Sequence, residues 1–82
     1  MSTKLKPDIP VAVWVKGHPI PGFDPGMWRR DDHGFAIRFW DYGDRSSDFG
    51  WEQDHITRVA DGGSNHISNL RPLNWHVNAA RG

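Results

Sequence analysis

No cysteine occurs in this 82-residue chain, and that absence narrows the ways in which it can hold a fold. A domain of this length buries only about 60% of the surface that its unfolded chain exposes, so small domains commonly lean on a disulfide, a metal or a partner. The first is excluded here. Zinc sites built on thiolates go with it, which leaves oxygen and imidazole donors for any ion. Five tryptophans supply a large apolar area per residue and are expected to carry most of a small core.

The formal net charge is zero, but its distribution is uneven. Residues 1–30 sum to +3, residues 31–54 to −5 and residues 55–82 to +2. A nucleic-acid-binding chain of this kind lacks global basic attraction, so a local basic surface or a metal has to supply it. No apolar run approaches the roughly 18 residues of a membrane span, and the run near the N-terminus is too short for a signal peptide. The expectation is a cytoplasmic protein with no membrane partner.

Residues 1–10 are polar and contain Pro7 and Pro10, which predicts a flexible arm carrying Lys4 and Lys6. A single domain is expected over 11–82. "VAVWVKG" (11–17) is β-branched and predicts a short strand. "HPIPGFDPGMW" (18–28) reads as an irregular Pro/Gly-rich loop anchored by Phe23 and Trp28. "FAIRFW" and "FGWEQDHI" read as strands of a β-meander joined by "DYGDRSSD". "NLRPL" is an extended piece, and "NWHVNAARG" gives the one clear helical signal, with Asn74 as N-cap. So short a helix has to be pinned by packing, for which Trp75 and Ala79 lie on one face.

Three polar landmarks stand out in the last third: the pair Asp54-His55, Asn69, and Asn78. Alone, the pair reads as an exposed Asp beside a hydrogen-bonded His. A hairpin folded onto a short helix, however, would bring Asp54 and Asn78 within reach of one ion, although 24 residues separate them. Both offer hard oxygen donors suited to Mg²⁺ or Mn²⁺.

With those landmarks, "WEQDHITRVADGGSNHISNLRPLNWHVNAARG" resembles the HNH endonucleases, the ββα-metal nucleases, over residues 51–82. The features that carry the likeness are Asp54-His55, Gly62-Gly63, Asn69-Leu70-Arg71-Pro72-Leu73, Asn78 and Arg81. Asn74 and Val77 stand where relatives with a structural zinc have cysteines. The resemblance implies an α+β single domain of the small stand-alone type. An irregular N-terminal segment and a short β-meander would precede a ββα-metal motif.

It also implies roles. Asp54 and Asn78 would hold one divalent ion, Mg²⁺ first, with Mn²⁺, Ni²⁺ or Zn²⁺ able to replace it in vitro or in crystals. His55 would be the general base, and Asn69 would brace the loop behind it. Arg29, Arg30, Arg58, Arg71, Arg81 and His66 are candidate nucleic-acid contacts, because a planar guanidinium suits phosphate oxygens.

In a regular strand Asp54 and His55 would diverge, so the shared site predicts a twist or bulge at the strand end. The expected function is metal-dependent hydrolysis of phosphodiester bonds, in DNA or alternatively RNA, with specificity supplied by a protein partner or by DNA structure. The competing expectations are a non-catalytic nucleic-acid-binding module on the same scaffold and a histidine-rich zinc domain built on His55 and His76.

Overall fold

The computed structural model describes residues 8–81. Most of the predicted arm, with Lys4 and Lys6, lies outside the described residues. Ile9 and Pro10 belong to the packed structure: Ile9 lies against the core, and the Pro10 carbonyl accepts the N–H groups of Val13 and Trp14 at 3.0 Å each.

Those two bonds start a short helix, α1 (Val11–Trp14), where the sequence predicts a strand. The β preference of Val reflects packing on a pleated surface more than a backbone rule. Here, burial of Val13 and Trp14 decides the conformation instead. Strand β1 (His18–Pro19) follows, then β2 (Trp28–Arg30) and β3 (Ala36–Arg38), forming an antiparallel sheet in the order β1-β2-β3. The register sets Arg29 opposite both Pro19 and Ile37.

The meander predicted over residues 34–56 is not formed there, because β3 does not pair with β4 (Trp51–His55); the consecutive antiparallel strands that precede β4 are β1-β2-β3. Phe39–Asp41 turns into a 3-10 helix, and carboxylates wind the following segment locally. Asp41 Oδ2 accepts from Arg38 Nε at 3.0 Å and Ser47 Oγ at 2.5 Å, and Asp44 Oδ1 accepts from the Ser46 N–H at 2.9 Å. Such Asx-type bonds compete with a hairpin ladder. Strand β4 pairs instead with β5 (Leu70–Asn74), antiparallel and in unbroken register from Trp51↔Asn74 to His55↔Leu70. Helix α2 (Trp75–Arg81) follows directly. Residues 51–81 thus run strand, loop, strand, helix, in an α+β domain.

Val13, Trp14, Ile37 and Trp51 form the core, with Ile9, Phe39, Tyr42 and Leu70 packed against it. Trp51 meets Trp14 at 5.2 Å and Tyr42 at 4.8 Å between ring centroids. Of the predicted anchors, Trp28 is half-buried and packs edge-on against Phe49 at 5.0 Å. Phe23 is 58% exposed and meets Trp28 edge-on at 6.5 Å. Ala79 is also exposed, so α2 is pinned otherwise, in part by Trp75 Nε1 donating to the Ser47 carbonyl at 2.6 Å.

A buried polar junction joins the two sheets. Asp31 is 1% exposed; its Oδ1 accepts from the His33 and Phe35 N–H groups and its Oδ2 from the Asn74 N–H, each at 2.9 Å. Asn74 in turn donates to the Ala36 and Asp48 carbonyls at 3.1 and 2.9 Å, while its Oδ1 accepts from the His76 N–H at 2.9 Å and so caps α2. Among the described residues no helix is long and apolar enough to cross a membrane.

Removing the Asp31 carboxylate orphans three backbone donors at once. Asp31→Ala is expected to lower the unfolding free energy in urea by about 3 kcal/mol. Asn74→Ala should be of comparable effect.

Candidate active site

Strand β4 and helix α2 face each other across a cleft of about 110 Å³ lined by Asp54, Arg58, Asn78 and Arg81. Two of the predicted oxygen donors therefore share one cavity. Asp54 is 9% exposed, and its Oδ2 accepts from Arg71 Nε at 2.8 Å and Arg81 Nη1 at 2.5 Å. Both bonds fall on the same oxygen, Oδ2. Asn78 donates through Nδ2 to Glu52 Oε1 at 2.9 Å, and Glu52 is gripped by Arg45 through Nε and Nη2 at 2.7 and 2.8 Å.

His55 is placed differently. The ladder runs through it without a bulge, so the predicted re-aiming of Asp54 and His55 toward one side does not occur through an inserted residue. Regular alternation sends them to opposite faces, and His55 is not among the residues lining the cleft. Its Nε2 lies 2.7 Å from Asn65 Oδ1. With an amide oxygen as acceptor, Nε2 is the donor of that bond.

The loop between the strands, residues 56–69, is clamped by Asn69. Its Oδ1 accepts from the Thr57 N–H at 2.8 Å, and its Nδ2 donates to the Thr57 and Ser64 carbonyls at 3.0 and 2.7 Å. Asn69 thus ties the start of the loop to Ser64, the residue next to Asn65. Gly63 completes the closure, since a Cβ there would fall 1.9 Å from the Thr57 carbonyl oxygen. Lys16, beyond α1, adds bonds from its ammonium to the carbonyls of Ile67 and Leu70.

The other candidate contacts are dispersed. Arg58 and Arg81 line the cleft, and Arg58 is 71% exposed with a loose 3.9 Å approach to Asp61. Arg71 is 17% exposed and bridges Asp54 and Asp32. Arg29 is spent on the carbonyls of Pro25, Val15 and Gly17, and Arg30 donates to the Gly34 carbonyl. His66 is exposed in the loop. His76 stacks on Trp75 at 3.7 Å and approaches Asp48 at 3.5 Å, so it is not brought to His55.

Sequence reasoning passed over Glu52 and Asn65. Glu52 carried a usable signal, because it precedes Asp54 by two residues and a strand places both on one face.

An oxygen-ligated cation fits the chemistry of the cleft in one respect: a carboxylate oxygen and an amide oxygen are the hard donors that Mg²⁺ accepts alongside water. The described residues hold no group of three or more His, Cys, Asp or Glu that would form a protein cage. No family model, curated protein or solved structure matches the chain.

Two expectations follow from these contacts. Asn69→Ala should raise amide hydrogen exchange across 56–69 while leaving the Trp51 and Leu73 amides protected. The second concerns acid stability. The His18 hydrogen bond, aided by Arg71, holds the Asp32 carboxyl below its ordinary 3.8 against the opposing effect of burial. The Arg45 hydrogen bond, aided by Asn78, does the same for Glu52 below 4.5. A depressed folded-state pKa gives stability that is complete above the unfolded value and lost as pH falls through the folded one. The unfolding free energy should therefore decline on acidification below pH 4.5, and Arg45→Ala should flatten that decline.

Proposed function

We propose that this chain is an HNH-type endonuclease that hydrolyses phosphodiester bonds of DNA with the help of one divalent ion. The observation that carries the reading is that Asp54 and Asn78, from a strand and from the helix after the hairpin, line one cleft together with two arginines. Asp54 Oδ1 and Asn78 Oδ1 would hold the ion, Mg²⁺ by donor hardness. When bound, such an ion supplies electrophilic stabilisation of charge on the phosphate and the leaving oxygen.

The chain's own residues do the rest. Arg58 and Arg81 bind non-bridging phosphate oxygens and keep the phosphate at the cleft mouth. His55, which lies outside the cleft lining, would have to accept the proton of the attacking water through Nδ1 from beyond the cleft mouth, with Asn65 on Nε2. Imidazole is the side chain most often used for that kind of proton transfer. Asn69 keeps the loop, and through it the imidazole, in place. Phosphoryl transfer needs little more than a base, an electrophile and alignment.

A second reading is favoured by two observations. His55 lies outside the cleft lining and the Asp54 carboxylate is covered by two guanidinium groups, an arrangement that also suits a module that binds nucleic acid without cutting it.

Conversion of supercoiled plasmid in Mg²⁺ or Mn²⁺ separates the two. The nuclease reading expects nicking that chelator stops. His55→Ala, Asp54→Ala and Asn78→Ala should each slow it at least about 100-fold. A wild-type protein that retards DNA in a gel yet never nicks it with either ion would leave only the binding module.

A further inference from the structure

We propose that Glu52 is a positioning residue that turns the Asn78 side chain so that its oxygen, and not its NH₂ group, faces the cleft shared with Asp54. The inference rests on the reading of that cleft as a cation site. An asparagine amide has two ends of nearly equal shape and opposite chemistry. Only the oxygen end can ligate a cation; the NH₂ end would meet it with hydrogens. Something must therefore choose between two rotations of about 180° that packing alone barely distinguishes.

Glu52 makes that choice, because an ionised carboxylate accepts hydrogen bonds and cannot donate them. Its Oε1 accepts from Asn78 Nδ2 at 2.9 Å. The opposite rotation would set Asn78 Oδ1 against a carboxylate oxygen, losing the bond and adding repulsion. The carboxylate is itself immobilised. Arg45 grips both of its oxygens, and the Arg45 guanidinium lies 5.7 Å from the ring centroid of Trp75, the first residue of α2. Trp75, Arg45, Glu52 and Asn78 thus close a circuit that starts and ends on the same helix. Glu52 is not itself a donor to the cleft, which it does not line, and its oxygens are shared with Arg45. Strand β4 supplies a ligand at Asp54 and the orienting group two residues earlier, both turned toward α2.

The test is a double-mutant cycle read as Mn²⁺ affinity of the full chain without DNA, followed by the electron paramagnetic resonance of free Mn²⁺. Glu52→Gln is expected to weaken Mn²⁺ binding about tenfold in the otherwise native chain, the usual scale for groups that orient metal ligands. Asn78→Asp presents an oxygen in either rotation. In that background Glu52→Gln should weaken binding by no more than about threefold, since only the charge term remains. The same unit of charge is removed in both backgrounds, so the difference isolates amide orientation.

Equal losses in the two backgrounds, in proteins with unchanged urea midpoints, would overturn the role of Glu52. Arg45→Ala, which frees the carboxylate without removing it, should weaken Mn²⁺ binding severalfold and provides the measurement if Glu52→Gln fails to fold; Mn²⁺ affinity unchanged in Arg45→Ala would then overturn the role. Mn²⁺ binding that is absent in the wild type, or unaltered by Asp54→Ala, would remove the cation site itself and the inference with it.

Discussion

The position of helix α2 depends on one buried carboxylate. Asp31, in the turn after β2, accepts the N–H of Asn74, and Asn74 is at once the last residue of β5, the cap of α2 and a donor to β3 and to the 42–50 segment. Each of those contacts would cost free energy if left unmade inside the protein. Together they fix where the hairpin and its helix sit on the three-stranded sheet. A core built on Val13, Trp14, Ile37 and Trp51 is too small to specify that placement by packing alone, since apolar contact is non-directional. The polar junction supplies direction. Asn78 stands one turn beyond it, so the geometry of the cleft is set by a bond made on the far side of the helix start.

The uneven charge of the sequence finds its explanation in the same place. Much of the acidic middle segment is turned inward or paired, although Asp48 is 90% exposed. Asp31, Asp41 and Asp54 are buried and act as acceptors for backbone N–H groups, hydroxyls and guanidiniums. Glu52 and Asp32 are engaged with Arg45, Arg71 and His18. Carboxylates that are consumed inside do not repel a polyanion at the surface as free ones would. The cleft mouth is consequently lined by two arginines even though the chain as a whole is neutral. Net charge was therefore a poor guide to the local field.

Much of the last third was legible because it is local and periodic: β4, β5 and α2 appear where alternation, the Asn74 cap and the alanines placed them. The first half was less so. "VAVWV" satisfies strand propensity yet becomes helix, because its burial against Trp51 and Phe39 is a tertiary fact. The meander failed because Asp41 and Asp44 satisfy backbone and hydroxyl groups nearby, a competition that residue alternation does not reveal. At the site, the spacing of Asp54 and Asn78 was readable as a convergence onto one cleft. The side of the strand on which His55 would lie was not, since it depends on a register that stays regular to the strand end. Asn65 was invisible because loop side chains carry no periodic signal.

The two guanidiniums on Asp54 follow from the cost of burying its charge. Taking a carboxylate out of water carries a desolvation cost that partners offset; Asp54 is 9% exposed, and Arg71 and Arg81 meet it on one oxygen. They are not equivalent. Arg71 is held between Asp54 and Asp32 and is 17% exposed, whereas Arg81 is 33% exposed at the end of α2. On the nuclease reading a cation entering beside Asp54 would duplicate part of the positive charge already there, and the cheaper partner to release is Arg81. Its guanidinium could then pass to a phosphate oxygen, which accepts the same kind of charge-assisted hydrogen bond as the carboxylate oxygen it leaves. Cation and phosphate would in that way favour each other's binding without any movement of the strands, with Arg71 remaining to hold Asp54 in place.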